Sequence, residues 1–381
     1  MYDLAKGLVK RGHEVSVHTS DALHVRDTRK RIQTARESLE GIEITRFPRL
    51  NPSLPSKFLR VIVKGFKKEI AEKVRDYDVV HLCEVRNYMN TTAAKACRDA
   101  GVPYFMSIFG NLAYQSSFRK RLLINLYDSI WTKKMFRLSA GLLVQNAHEK
   151  DACLRYGISP SQAKFSPLPV HFSDFKDLPA RGVFRKKSGI GPEARIIISL
   201  GRLHHDKGFQ FLMNAFASLT EREDTVLVIV GADESYGEAL KKQAEDLKIR
   251  DRVIFPGAMY DREKLEAFVD SDVFALTPLV YEETSLASLE ACASGLPVIV
   301  TDRDSIPWLE EYGAGLEIAH DEKELAQALR LLLSDEEKRK KMGQKARILI
   351  QEKFAVEKVV EEMEGMFREA VNSRQQTANS R

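Results

Sequence analysis

Short runs of Val, Ile, Leu and Phe recur along the chain, alternating with longer stretches in which apolar residues return every three or four positions. The runs read as strands buried on both faces, because such strands lose the polar alternation of a one-sided sheet, and the longer stretches read as amphipathic helices. In the first part of the chain the strand runs fall at 14–17, 43–47, 79–82, 104–108 and 141–144. The pattern breaks after Pro167, Pro169 and Pro179, and the mixed charge of 171–192 reads as a linker. A second series follows at 196–200, 225–230, 252–255, 273–276, 297–300 and 315–318. Residues 322–334 and 335–349 read as surface helices, and 355–371 as a last one with Val359, Met363, Phe367 and Val371 on one stripe. The tail, 372–381, has too little apolar content to pack and reads as disordered. The pattern predicts an α/β protein of two Rossmann-like parallel-sheet domains, 1–170 and 193–353, facing each other across a cleft, with linker 171–192 between them and a final helix, 354–371.

The chain opens on a helix, with Gly12 as its stop and a strand beyond. A doubly wound sheet begins strand, turn, helix, and its first strand lies in the middle of the sheet. The expectation is therefore a strand and glycine-rich turn encoded upstream, with Met1 an internal methionine.

Composition narrows the class. With 381 residues and 44% hydrophobic content, the chain can bury two ordinary cores. No apolar run approaches the ~20 residues that span a bilayer, and no signal-peptide pattern opens the sequence, so a cytoplasmic location is expected. The four cysteines lack CxxC or Cys/His ligand spacing, so neither zinc nor disulfides are indicated, and no cofactor is expected. The net charge of +5 conceals an asymmetry: residues 1–170 hold 29 Lys and Arg against 16 Asp and Glu, and the remainder 30 against 38. A basic first half suggests an anionic partner such as a phospholipid surface, a lipid-linked phosphate or an acidic glycan, and no nucleic-acid module accompanies it. Two basic amphipathic stretches, 57–75 and 118–138, fit either peripheral contact with an anionic membrane or ordinary helices packed on a sheet.

Two segments carry candidate chemistry. Gly201-Arg202-Leu203-His204-His205-Asp206-Lys207-Gly208 follows a predicted strand and precedes a helix, placing two cations where open α/β sheets bind ligands. The planar fork of Arg202 and the mobile charge of Lys207 suit a diphosphate. Further on, Glu282 and Glu290 flank the start of a helix that begins near Leu286 and is ended by Gly295-Leu296-Pro297. A helix start carries unpaired N–H groups that suit a phosphate, and neighbouring carboxylates accept hydrogen bonds from sugar hydroxyls. Taken singly, each segment is also what a solvated surface shows.

Together the segments resemble the Gly-Arg-Leu…Lys-Gly and Glu-x(7)-Glu signatures of the family 4 glycosyltransferases (glycosyl transferases group 1), retaining enzymes of the GT-B fold. Arg11-Gly12-His13-Glu14-Val15, Asp78-Val79-Val80-His81, Gly101-Val102-Pro103-Tyr104, Pro297-Val298-Ile299 and Met342-Gly343 fall in the family's order. The resemblance implies transfer of a sugar from a UDP- or GDP-sugar to a glycan or lipid-linked acceptor, without a metal. It assigns Arg202 and Lys207 to the donor diphosphate, Glu290 to the ribose and Glu282 to the transferred sugar. Gly201 and the N–H groups of Thr284, Ser285 and Leu286 complete the donor site, and Gly257 and Ala258 lie by the base. On the acceptor side it points to His81, Gly110 and Asn111, and it brings the last helix back to the first domain. The chain departs from the family at Glu283-Thr284-Ser285, where Gly-Phe-Gly is usual, at Phe109, where many relatives have His, and at Pro167-Leu168-Pro169-Val170-His171. The competing readings are a donor-binding but inactive subunit of a glycan assembly complex, and a GT-B-like nucleotide-sugar epimerase.

Overall fold

The computed structural model describes residues 1–23, 31–50, 62–110, 112, 118–219 and 224–379. They form two compact units, one of Met1–Ser166 with Val356–Arg381 and one of Pro167–Ala355.

The first unit contains β1 (Val15–Ser20), β2 (Arg36–Leu39), β3 (Ile42–Phe47), β4 (Val80–Cys83), β5 (Tyr104–Ser107), β6 (Gly141–Val144) and β7 (Ala163–Phe165). They lie in two sheets, ordered β1-β3-β2 and β4-β5-β6-β7. All pairings are parallel except β2 with β3. β2 and β7 were not expected: Arg-Glu-Ser-Leu makes a largely exposed edge strand without an apolar run, and β7 is three residues long. The opening helix, Tyr2–Lys10, stops before Gly12, whose φ of 89° suits glycine. The last helix spans Val356–Asn379 and joins Val359, Val360, Met363 and Phe367 to Leu4, Phe105 and Leu143 in one apolar cluster. Its helical path continues through 372–379, which the sequence pattern assigned to a disordered tail; Arg, Gln and Ala there are good helix formers that extend a helix already nucleated by packing.

The two basic stretches differ. In the first, residues 57–61 lie outside the described residues, and the helix Phe66–Lys73 buries Phe66 and Ile70 beside Phe47 in an ordinary core. The second runs through Phe118–Tyr127, a π turn at Asp128–Thr132 and Lys133–Leu138. Ile124, Asp128, Thr132, Met135 and Phe136 are buried along one side. Leu122, Leu123, Leu126, Ile130 and Trp131 stay exposed on the other, Leu122 by 65%. The π turn is held by Arg86, which donates to both Asp128 oxygens at 2.9 and 2.7 Å, and by the Tyr156 hydroxyl, which donates to Oδ2 at 2.7 Å.

The second unit is one continuous parallel sheet of β8 (Arg195–Leu200), β9 (Thr225–Val230), β10 (Val253–Gly257), β11 (Val273–Leu276), β12 (Val298–Thr301) and β13 (Gly315–Ile318). The order is β10-β9-β8-β11-β12-β13, with an apolar core on each face. The stretch expected as a linker belongs to this unit. Phe175, Phe184 and Ile190 enter its core with Ile196, Ile198 and Val228. Buried Arg185 donates to the carbonyls of Ala194 at 2.6 Å and Asp270 at 2.8 Å. Its charge is thus a tether for the segment rather than a solvated linker residue.

Candidate functional site

In the second unit the chain leaves β8 for β9 and β10 on one side, then crosses to β11, β12 and β13 on the other. The direction of winding therefore reverses between β8 and β11, and ligands of open α/β sheets bind beyond the carboxyl ends of strands at such a point. The loops that leave β8 and β11 are the two segments marked by sequence.

Glycines allow these loops to touch. Gly208 has a φ of 70°, and a Cβ on it would stand 1.7 Å from the carbonyl oxygen of Thr277. The Thr277 hydroxyl donates to the Gly208 carbonyl at 3.0 Å, and the Leu279 N–H donates to the Asp206 carbonyl at 2.9 Å. Gly231, beyond β9, is equally constrained, since a Cβ there would meet the Gly201 carbonyl oxygen at 1.7 Å. Gly201 and Gly231 continue the ladder, donating to the carbonyls of Val230 at 3.0 Å and Gly257 at 2.9 Å.

On this frame the Lys207 ammonium forms an ion pair with Glu282, so one expected diphosphate cation and the expected sugar-binding carboxylate are in direct contact. Arg202 is half exposed and pairs with Glu234, in the loop after β9. Glu290, in the helix Leu286–Ala293, pairs with Lys264 at 2.7 Å. Glu234 and Lys264 were not identified from sequence; each is charged and lies in or shortly after a loop at the carboxyl end of a strand, which is the signal that would find them. Gly257 and Ala258 are exposed at the end of β10.

The helix start differs from expectation. Thr284 and Ser285 are buried, and the Ser285 N–H donates to Asp304 Oδ1 at 3.1 Å, so it is committed within the protein. The Ser288 hydroxyl donates to Asp304 Oδ2 at 3.0 Å, and the Thr284 hydroxyl to the Ser305 carbonyl at 2.9 Å. Leu286, the first helical residue, is half exposed. Burial pushes the Asp304 carboxyl up to about 8, reinforced by the nearby Glu282 charge. Asp304 also sits opposite Glu282 in a short parallel bridge, and the Glu282 N–H donates to the Arg303 carbonyl at 2.7 Å. It thus fixes both the helix start and the Glu282 loop. The run Asp302-Arg303-Asp304 after a buried strand was the available signal.

The acceptor-side candidates belong to the first unit. His81 Nε2 is 2.8 Å from Ser107 Oγ, and burial pushes the imidazole down to about 4. His81 also lines the cavity of the first unit, which β1 and β4 border. The Gly110 N–H donates to Glu149 Oε1 at 2.9 Å, and the Gln145 N–H to Oε2 at 2.7 Å. Glu149 is buried, which raises its pKa from the usual carboxylate range. Asn111 lies outside the described residues. Glu84, Arg86 and Phe109, just beyond β4 and β5, have φ of 72°, 59° and 49°. Such backbone is costly for residues with a Cβ and concentrates at functional sites. Among the described residues no group of three or more His, Cys, Asp or Glu could hold a metal ion, and no helix is long and apolar enough to cross a membrane.

Comparison with known proteins bears on this geometry. Residues 181–349 match the family Glycosyl transferases group 1, and residues 1–172 match Glycosyltransferase Family 4. An uncharacterized glycosyltransferase of Methanocaldococcus jannaschii is 25% identical, over 78% of this chain and 74% of its own length. The alpha-D-kanosaminyltransferase of Streptomyces kanamyceticus is also 25% identical, over 71% of this chain and 72% of its own. The solved structure of Anabaena HepE in complex with UDP and glucose is 17% identical, covers 96% of this chain and 94% of its own, and superposes with a TM-score of 0.69.

Proposed function

This chain belongs to the family 4 glycosyltransferases of the GT-B fold, and from that premise we propose that it transfers a sugar from a UDP-sugar to a glycan or lipid-linked acceptor, with retention of configuration. One observation carries the donor reading: Lys207 and Glu282 meet where the winding of the second sheet reverses, between β8 and β11. A diphosphate bound there takes the Lys207 ammonium as its counter-charge, and Glu282 accepts a hydrogen bond from a hydroxyl of the sugar. As the bond from the anomeric carbon to the diphosphate oxygen breaks, negative charge grows on the leaving group. A cation fixed beside that group stabilises the transition state more than the ground state. The acceptor oxygen forms the new bond on the same face, and its proton passes to the departing phosphate oxygen. Arg202 adds a second, more exposed cation, and Glu290 with Lys264 suits the ribose. No metal is part of this scheme. The choice of uracil rests on HepE, which holds UDP in its solved structure.

The exposed Leu122, Leu126, Ile130 and Trp131, with Lys133 and Lys134 beside them, support an acceptor met at an anionic lipid surface. Binding to anionic vesicles at low salt that is lost in Leu126→Glu tests this part; recovery of the unaltered protein in the soluble fraction contradicts it. The transfer reading is tested with labelled UDP-sugars and a lipid-linked or oligosaccharide acceptor, scoring the anomeric configuration of the product. Glu282→Ala is expected to abolish product formation. Undiminished transfer in that variant contradicts the assignment, and a product of inverted configuration contradicts retention.

A further inference from the structure

Asp304 follows β12 in the loop that bridges to Glu282, and it is fully buried. Its Oδ1 accepts from the Ser285 N–H at 3.1 Å and its Oδ2 meets the Ser288 hydroxyl at 3.0 Å, so both oxygens are committed to the start of the helix Leu286–Ala293. The first of these bonds falls in the stretch where this chain has Glu283-Thr284-Ser285 in place of Gly-Phe-Gly. Among the described residues no cation pairs with Asp304, and the Lys207 ammonium is engaged by Glu282. The charged and titratable groups around it are Glu282 from the loop after β11, Lys207 from the loop after β8, Cys292 from the helix, and Asp302 and Arg303 beside it in the chain. The Arg303 guanidinium is held by the Leu279 carbonyl, and burial pushes the Cys292 thiol up and keeps it neutral. An ionised carboxylate in such a place is costly, because it is out of water with no counter-charge of its own and a second carboxylate close by. A neutral acid keeps both bonds: Oδ1 accepts as a carbonyl oxygen, and an Oδ2 hydroxyl shares its contact with Ser288 in either direction of donation.

We propose that Asp304 is a positioning residue of the donor site that works as a neutral acid, seating Ser285 and the Glu282 loop for the diphosphate without placing a second negative charge beside it. The inference rests on the donor reading above. With Asp304 neutral, the charges of Lys207 and Glu282 cancel, and an incoming diphosphate meets no excess of negative charge. With Asp304 ionised the three groups carry a net negative charge that opposes the same ligand. Burial, the largest cause, and the Glu282 charge push the Asp304 carboxyl up to about 8, against the bonds from Ser288 and Ser285 and the charge of Lys207. The neutral form therefore prevails at neutral pH and is lost as pH rises through that value. Linkage is reciprocal: a bound diphosphate holds the Asp304 proton more tightly, so donor binding near pH 8 takes up a proton from solvent.

The test is the affinity of UDP, measured by calorimetry from pH 7.5 to 9.5 in the unaltered chain, Asp304→Asn and Asp304→Ala. Over this range the terminal phosphate of UDP, with a pKa of about 6, is already ionised. Asparagine mimics the neutral acid, since its Oδ1 accepts from the Ser285 N–H and its Nδ2 donates to Ser288. Lys207 is present in all three chains, so ratios of their affinities isolate position 304, and circular dichroism at each pH checks that the chains compared are folded. The unaltered chain is expected to bind UDP at least ~10-fold more weakly at pH 9.5 than at 7.5. Asp304→Asn is expected to match it within about twofold at pH 7.5 and to bind ~10-fold more tightly than it at pH 9.5. Proton uptake at pH 8, read from the heats of binding in two buffers of different ionisation enthalpy, is expected in the unaltered chain and absent in Asp304→Asn. Asp304→Ala, which leaves the helix start unheld, is expected to bind weakly at every pH; if it does not fold, the Asn comparison decides alone. Matching pH profiles in the unaltered chain and Asp304→Asn overturn the proposal, and so does an Asp304→Asn variant that already binds tenfold more weakly at pH 7.5. Absence of UDP binding by every chain at every pH refutes the donor reading itself, whereas binding with matching profiles refutes this inference alone.

Discussion

The second unit has a continuous sheet with its first strand at the centre, and its candidate chemistry converges on the loops beyond that strand and beyond β11. The first unit runs through a similar order of elements, yet among the described residues its strands form two sheets, with β1 in one and β4 in the other, and His81 and Glu149 nearby are hydrogen-bonded to Ser107 and to the Gly110 N–H. The difference shows what a central strand does in a doubly wound sheet. In the second unit β8 carries the loop that holds Lys207 and lies between β9 and β11, burying the facing edges of both. There Lys207 and Glu282 are in direct contact on the loops beyond β8 and β11.

The largest effect expected is on Lys207. Lys207→Ala should lower transfer by about 10²- to 10³-fold, the scale seen when one transition-state charge partner is removed, with the circular dichroism spectrum unchanged. A loss under tenfold would place the diphosphate elsewhere. Next comes the glycine lacing of the second unit. Gly231→Ala drives a Cβ into the Gly201 carbonyl and should cost about 3 kcal/mol, read as a fall in denaturation midpoint. Gly12→Ala, in open space with only its φ at issue, should cost about 1 kcal/mol or slightly more.

Acidity separates the units by sign. Asp304 binds a proton in the folded state up to about 8, whereas an unfolded aspartate releases it near 4. The folded form then holds more protons between those values, so this contribution to stability is present at low pH and is lost as pH rises toward 8. His81 does the reverse: its folded pKa of about 4 lies below the unfolded value near 6.5, so stability is lost as pH falls through that window. In urea midpoints measured from pH 4 to 8, Asp304→Asn should remove a fall with pH that spans the whole window, and His81→Gln a rise confined to pH 4 to 6.5, each read as the difference between variant and unaltered chain. Each slope is at most about 1.4 kcal/mol per pH unit. Unaltered profiles in both variants would remove the assignment of these two groups. A modest effect is expected at Arg202, half exposed and already paired with Glu234; Arg202→Ala should weaken donor binding about tenfold, or ~1.4 kcal/mol.

Most of the second unit was legible because its strands are uninterrupted apolar runs, and a run buried on both faces has few other readings. Val273–Leu276 and Thr225–Val230 fall where the pattern put them. Contacts distant in sequence were not legible. Asp304 holds the N–H of Ser285, and Lys264 holds Glu290, but nothing in the spacing of either pair marks a bond. The stretch 171–192 misled because Phe175, Phe184 and Ile190 are too sparse to show a period, yet each fills a place in the core. The tail misled for the opposite reason, since helix propensity acts without any apolar signal. In the first unit the cavity lined by β1 and β4 was not legible, since those strands are far apart in sequence.

The central claim is that the donor diphosphate binds where Lys207 meets Glu282. The most direct measurement is the thermal midpoint of the purified chain and its Lys207→Ala variant across a series of UDP-sugar concentrations. A ligand bound only by the folded state raises apparent stability by mass action, about 2.7 kcal/mol at a hundred times Kd. The account predicts a saturable rise with UDP-sugar in the unaltered chain and its loss in Lys207→Ala. An equal rise in both proteins would contradict it.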